Sequence, residues 1–185
     1  MFTPKMISKP LVVLAALLIE PRCFAVTTLI DSMAFESGIA EKVEMARVSV
    51  QSDWNCSWFE QTNTHLSGYW DANLALLRGD AYQDQPDKHQ NIAVLNLTPV
   101  FRYERMDKKG WYCEAGVGAS FFFDLYDNNG DQLSTHFEFA DHFGIGYVFD
   151  NRWELGAKVQ HYSNGGFKKP NDGITWLVLK VGYHF

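Results

Sequence analysis

The sequence predicts an all-β chain, an eight-stranded antiparallel transmembrane β-barrel. Three observations carry this prediction. Aromatic residues are abundant, with 6 Trp, 8 Tyr and 14 Phe in 185 residues, and such rings favour strands and membrane–water interfaces. Beyond about residue 30 the hydrophobic pattern has period 2 rather than 3.6. Finally, no apolar run reaches the roughly 20 residues that a membrane-spanning helix requires. The composition, 46% apolar and 21% charged, excludes a disordered chain, and the net charge of −6 argues against a partner gripped through phosphates, such as nucleic acid.

The first residues read as an export signal. Lys5 and Lys9 precede the apolar run Leu11 to Ile19, and Cys23 and Ala25 occupy the small-residue positions of a cleavage site. The expected organisation is therefore a signal peptide over residues 1–25 and one barrel domain over 26–185. Export leaves Cys56 and Cys113, a pair that an oxidising compartment permits to form one disulfide.

The eight expected strands follow in order. They are a short piece around Asp31 to Ile39, then Val43 to Asp53, Leu66 to Leu77 and Asn91 to Glu104. Trp111 to Phe123, His136 to Phe149, Arg152 to Ser163 and Ile174 to Phe185 complete the set. The last shows the alternation best: Leu177, Leu179, Val181, Tyr183 and Phe185 fall on one face, Val178, Lys180, Gly182 and His184 on the other. Alternation alone does not say which face is inside. A lipocalin-like soluble barrel would turn the apolar face inward, a membrane barrel outward. Buried-type charges beside many glycines on the polar face favour the membrane barrel. So do aromatics gathered at strand ends and an aromatic last residue, Phe185. Glu114, Arg102, Glu104 and Lys158 then read as ion-pair filling of the interior.

The chemistry concentrates in the stretch His161-Tyr-Ser-Asn-Gly-Gly-Phe-Lys-Lys-Pro-Asn-Asp-Gly173. His161 and Ser163, two apart on a strand, project from one face with Cα atoms about 6.5–7 Å apart. That spacing lets an imidazole approach a hydroxyl, as a general base approaches its nucleophile. The phase running Trp153, Leu155, Ala157, Val159 continues onto both residues and places them on the lipid side. With periplasmic termini the seventh strand ends near the outer leaflet, so the implied substrate is an acyl ester of a membrane lipid.

The His161–Gly166 stretch, the Lys169-Pro-Asn-Asp-Gly173 stretch, the Gly68-Tyr-Trp-Asp71 segment and the Phe terminus resemble the lipid A 3-O-deacylase (PagL) family of eight-stranded outer-membrane barrels. The resemblance implies a serine esterase of the bacterial outer membrane that releases the 3-position hydroxyacyl chain of lipid A. Ser163 would be its nucleophile and His161 its base, while Asn164, with the N–H groups of Gly165 and Gly166, is a candidate oxyanion stabiliser. Lys168 and Lys169 would meet lipopolysaccharide phosphates as point charges, and Asn171 would shape the loop. The family's acidic third member aligns with Thr175, which carries no charge but has a hydroxyl to orient His161. Asp172, Glu138 and Asp141 are the alternative acids.

No cofactor is expected, because serine acyl transfer draws on a base and an oxyanion hole. No metal site is expected either: Asp124 to Asp131 mimics part of a calcium loop without its helical flanks or closing Glu. The expected partners are lipid A in the outer leaflet, the outer membrane itself and a second copy of the chain as a homodimer. Two rival readings stand beside this one, a structural barrel silenced by the loss of its acid and the soluble lipocalin-like lipid binder.

Overall fold

The computed structural model describes residues 28–185 and, through their backbone, Arg22–Cys23. Eight antiparallel strands close a barrel: β1 (Ser32–Ala40), β2 (Val43–Asp53), β3 (Thr64–Gly79), β4 (Gln90–Arg105), β5 (Gly110–Phe122), β6 (Phe137–Val148), β7 (Trp153–Ser163) and β8 (Ile174–His184). Each strand pairs with its sequence neighbour, and β8 pairs with β1 to complete the ring. Closure leaves no sheet edge, the condition for strands to sit in lipid.

The orientation of the faces settles which barrel this is. The apolar rows point outward, with Leu179 and Phe143 each 61% exposed and Val117 62% exposed, while Glu36 and Glu154 inside are 0% exposed. A soluble lipocalin-like binder would have the reverse arrangement, so that reading is discarded. Inside, an apolar cluster that includes Met45, Leu77, Val94, Phe122 and Trp176 packs at the loop end, and paired charges fill the section between it and the end with the termini. Glu36 accepts from Arg47 at 2.7 Å and from Lys158 at 3.1 Å. Arg102 bridges Glu114 at 2.7 Å and Glu154 at 3.0 Å, and Lys180 reaches Glu154 at 2.9 Å. Burying these charges is tolerable because each is matched and hydrogen-bonded.

Glycines let the narrow lumen close. A Cβ on Gly118 would lie 2.1 Å from Thr98 Oγ1 and 2.6 Å from the Leu97 carbonyl oxygen. On the neighbouring strand Pro99 has no N–H to give, and the β4–β5 pairing lapses between Leu97 and Val100. Aromatic pairs ring both ends: Trp111 with Tyr147 and Trp153 with Tyr183 at one, Phe121 with Phe123 and Phe137 with Phe139 at the other.

The strand termini divide the two ends by function. Ser32 and His184 pair at one end. The loops 80–89, 123–136 and 164–173 crowd the other; at the termini end the β4–β5 and β6–β7 connections are tight and only the β2–β3 connection, 54–63, is long. Among the loops, the part-calcium-like segment forms a small hairpin, Asp127–Asn128 against Asp131–Gln132. Buried Asn128 ties it down by accepting from Ala81 N at 2.8 Å and donating to the Lys42 carbonyl at 3.0 Å.

The two cysteines that an oxidising compartment permits to pair do not pair with each other. Cys113 is a free thiol on the outward side of β5, in register with Tyr103 and Ile145, whereas Cys56 is disulfide-bonded. A thiol directed away from the wall cannot meet one in the connection between β2 and β3. The backbone of Cys56–Ser57 pairs with that of Arg22–Cys23. Those two residues fall inside the expected signal segment, the rest of which lies outside the described residues.

Candidate active site

The end of β7 carries His161 and Ser163 outward, both half-buried, at the rim opposite the chain termini. Pairing fixes what lies beside them. His161 sits between Asp141 of β6 and Thr175 of β8, and Ser163 faces Phe139 of β6. His161 Nδ1 and Thr175 Oγ1 share a hydrogen bond at 2.9 Å, so a neutral hydroxyl holds the ring. Nε2 makes no hydrogen bond with the described residues, Ser163 included.

A glycine that sequence reasoning treats only as part of a turn proves to matter here. Gly173 has φ +80, and a Cβ on it would come within 2.5 Å of His161 Cε1 and 2.9 Å of Nε2. The imidazole edge lies against this backbone, which accommodates no side chain. The Asn-Asp-Gly tripeptide signals the turn, but nothing local signals the ring that packs on it.

The 164–173 loop is internally braced. Asn164, 1% exposed, donates Nδ2 to the Lys168 carbonyl at 2.9 Å and accepts from Gly166 N at 3.0 Å. Its own backbone N–H donates to Asn171 Oδ1 at 2.9 Å. Asn171 thus shapes the loop as expected, and its carboxamide rests against the peptide that follows Ser163, with Nδ2 unbonded to the described residues. Lys168 is tied to the 123–136 loop, its ammonium donating to the Ser134 carbonyl at 3.2 Å while Ser134 Oγ donates to its carbonyl at 3.1 Å. Lys169 is exposed and unpaired among the described residues.

The three alternative acids separate cleanly. Asp172 accepts from Gln132 N at 2.9 Å and so faces the neighbouring loop. Its charge and that of Glu41 add to burial, the larger cause, in raising the Asp131 carboxyl above its ordinary range. Glu138 points into the lumen, where it accepts from Thr135 at 2.7 Å. Asp141 alone shares the outward face with His161.

Below the pair runs an apolar groove of about 510 Å³ on the outer wall, lined by Pro99, Phe101, Val117, Phe143, Val159 and His161 among others. A larger hollow of about 610 Å³ across β1 to β4, bordered by Ser37, Met45 and Leu77, contains no histidine. Volume therefore does not single out the groove beside His161.

The fold defines a class, a small membrane barrel, here with His161 and Ser163 side by side on the outward face of one strand end and an apolar groove reaching His161. The lipid A 3-O-deacylase (PagL) family profile matches residues 44–184. A protein of Pseudomonas aeruginosa named lipid A deacylase PagL is 36% identical over 135 residues, 72% of this chain and 73% of that protein. A Bordetella bronchiseptica protein of the same name is 32% identical over 87 residues, 47% of each chain. The crystal structure of the outer membrane enzyme PagL superposes with a TM-score of 0.72 at 28% identity, covering 83% of this chain and 99% of that one. Neisserial surface protein A, at 11% identity and a TM-score of 0.52 over 83% of this chain and 94% of that one, shares the fold alone. The chain belongs to the lipid A 3-O-deacylase (PagL) family, and its barrel is an outer-membrane barrel. The expectation of a homodimer finds no support in these comparisons.

Proposed function

We propose that this chain is an ester hydrolase of the outer leaflet that removes the 3-position hydroxyacyl chain of lipid A, with Ser163 as nucleophile. The observation that carries the reading is the His161–Ser163 pair facing lipid at the rim, its ring held by Thr175 and its flank open to an apolar groove. An acyl chain lying in that groove brings its carboxyl ester up to Ser163, while the sugar stays at headgroup level.

In the first step His161 Nε2 takes the Ser163 hydroxyl proton as Oγ attacks the ester carbonyl. Thr175 accepts from Nδ1–H and keeps the ring in the tautomer that leaves Nε2 basic. The tetrahedral oxyanion is met by donors of the 164–173 loop. The second Nδ2 hydrogen of Asn164, the Gly165 N–H and the unbonded Asn171 Nδ2 are the groups available. Collapse expels the sugar oxygen, which takes the proton back from His161. Water then attacks the acyl-enzyme by the same route and releases a 3-hydroxy fatty acid. Lys169, exposed beside the site, meets a lipid A phosphate, and Lys168 does so by exchanging its Ser134 carbonyl partner. No cofactor takes part in this scheme, and residues 1–25 act as the export signal that delivers the barrel.

The test is hydrolysis of lipid A by purified protein in detergent, with released fatty acid identified by mass spectrometry. Release of 3-hydroxy fatty acid by the wild type and not by Ser163→Ala is the expected result. A folded wild type that releases nothing at any detergent or divalent-ion condition removes the reading and leaves the silent barrel.

A further inference from the structure

A serine hydrolase whose acid has become threonine lacks a negative charge to offset the imidazolium formed as Ser163 loses its proton. Thr175 supplies the orienting hydrogen bond, at 2.9 Å, but no charge. The outward face of the barrel supplies one. Asp141 lies directly across the β6–β7 ladder from His161, on the side opposite Thr175, giving the row Asp141–His161–Thr175 over three adjacent strands. Side chains directly opposite in such a ladder have Cβ atoms about 4.5–5.5 Å apart.

Asp141 is out of place for any structural purpose. It is exposed on the lipid-facing side, makes no hydrogen bond or ion pair with the described residues, and has Val117 as its other cross-strand neighbour. Among the described strand residues it is the one outward carboxylate away from a strand end, Glu44 standing at the second position of β2. A charge on that face is disfavoured, the more so the deeper it lies. Its one titratable neighbour across either ladder is His161, and the two border the same groove.

We propose that Asp141 is a positioning residue for the reaction, supplying the charge that stabilises protonated His161 while Thr175 supplies the orientation. Two functions usually joined in one acid are thereby divided between the strands on either side of β7. The proposal rests on the reading of His161 and Ser163 as base and nucleophile. The other groups around the imidazole do not do this work. Gly173 presents only backbone, the Asp172 carboxylate is bonded to Gln132 N, the Lys168 ammonium is bonded to the Ser134 carbonyl, and His142 of β6 points into the lumen.

The experiment uses the wild type, Asp141→Asn, Thr175→Glu, the double variant and Ser163→Ala, each confirmed folded by heat-modifiable electrophoresis. Two readouts are taken, acyl release from lipid A and the rate at which a fluorophosphonate labels Ser163. Asp141→Asn is expected to lower kcat and the labelling rate about 10–100-fold with KM little changed, less than the roughly 10⁴-fold that losing a contacting acid costs. Thr175→Glu in the Asp141→Asn background is expected to restore both, since a carboxylate on the other side of the ring replaces the lost charge. A merely structural role for Asp141 predicts no such rescue. Unchanged rates in Asp141→Asn overturn the inference, as does a loss that Thr175→Glu fails to repair. Wild type that labels at Ser163 but releases no acyl chain removes the lipid A reading, while the labelling rates still decide the role of Asp141. Wild type that does not label at all overturns both.

Discussion

The barrel holds two serine–histidine arrangements at opposite ends, and the one richer in catalytic residue types is the one without access to lipid. At the end with the termini, Ser57 Oγ lies 2.7 Å from His65 Nδ1, and His65 Nε2 lies 3.7 Å from Glu104 Oε1. Ser67 donates to the same carboxylate at 2.6 Å. Serine, histidine and acid are all present, yet Ser57 is 7% exposed and His65 and Glu104 are each 6% exposed. At the other end His161 and Ser163 lack a contacting acid, but they are open to the outer face, braced by a loop with spare donors and continuous with an apolar groove. Residue inventory therefore does not define a site here. Strand phase does: residues 65 and 104 fall on the lumen side, residues 161 and 163 on the lipid side. The inner cluster reads as polar filling, in which Ser57, Ser67 and Glu104 are hydrogen-bonded while His65 Nε2 has only the 3.7 Å approach to Glu104.

The sharpest way to break this comparison is to remove each serine in turn. Ser163→Ala is expected to abolish acyl release, a loss on the order of 10⁴-fold or more, measured as fatty acid freed from lipid A. Ser57→Ala is expected to leave that rate unchanged per folded molecule. Next in size is the lumen itself. Arg102→Met strips Glu114 and Glu154 of their shared cation and is expected to destabilise the barrel by about 3–5 kcal/mol, read as a lowered urea midpoint in detergent.

Gly173→Ala sharpens the outer half of the comparison. It pushes a methyl group into the His161 ring and is expected to reduce kcat about 100-fold, with a modest fall in the urea midpoint because alanine is strained at this φ. The smallest effect belongs to the inner cluster: Ser57→Ala leaves His65 Nδ1 without its partner, at a cost of about 1–3 kcal/mol. A fall in acyl release matching that of Ser163→Ala would instead make the inner cluster the catalytic one.

Much of this was legible in the sequence, for identifiable reasons. Period-2 alternation runs along the strands, most cleanly in the last ones, and β2 has the expected bounds while the others differ by a few residues at most. The same alternation placed His161 and Ser163 on the lipid side, and the Thr175 hydroxyl meets His161 as expected. What escaped depends on register between strands. The Asp141–His161 pairing follows from the tight β6–β7 turn, in which Phe149 N donates to the Trp153 carbonyl and Arg152 has φ 71. A turn longer by one residue would set outward residues against inward ones, and no local pattern states its length. The bracing of Asn164 and the packing of Gly173 on the imidazole are likewise products of where the loop folds back. Whether Cys56 and Cys113 pair was open in the sequence for the same reason: Cys113 shares the outward phase of β5, and Cys56 lies in a connection that alternation does not describe.

The most direct test of the central claim is mass spectrometry of lipid A from cells expressing the wild type, Ser163→Ala or Ser57→Ala, each shown to be folded in the outer membrane. The account predicts loss of one 3-hydroxyacyl chain with the wild type and Ser57→Ala, and intact lipid A with Ser163→Ala. Unaltered lipid A with all three, or loss that persists in Ser163→Ala, would contradict it.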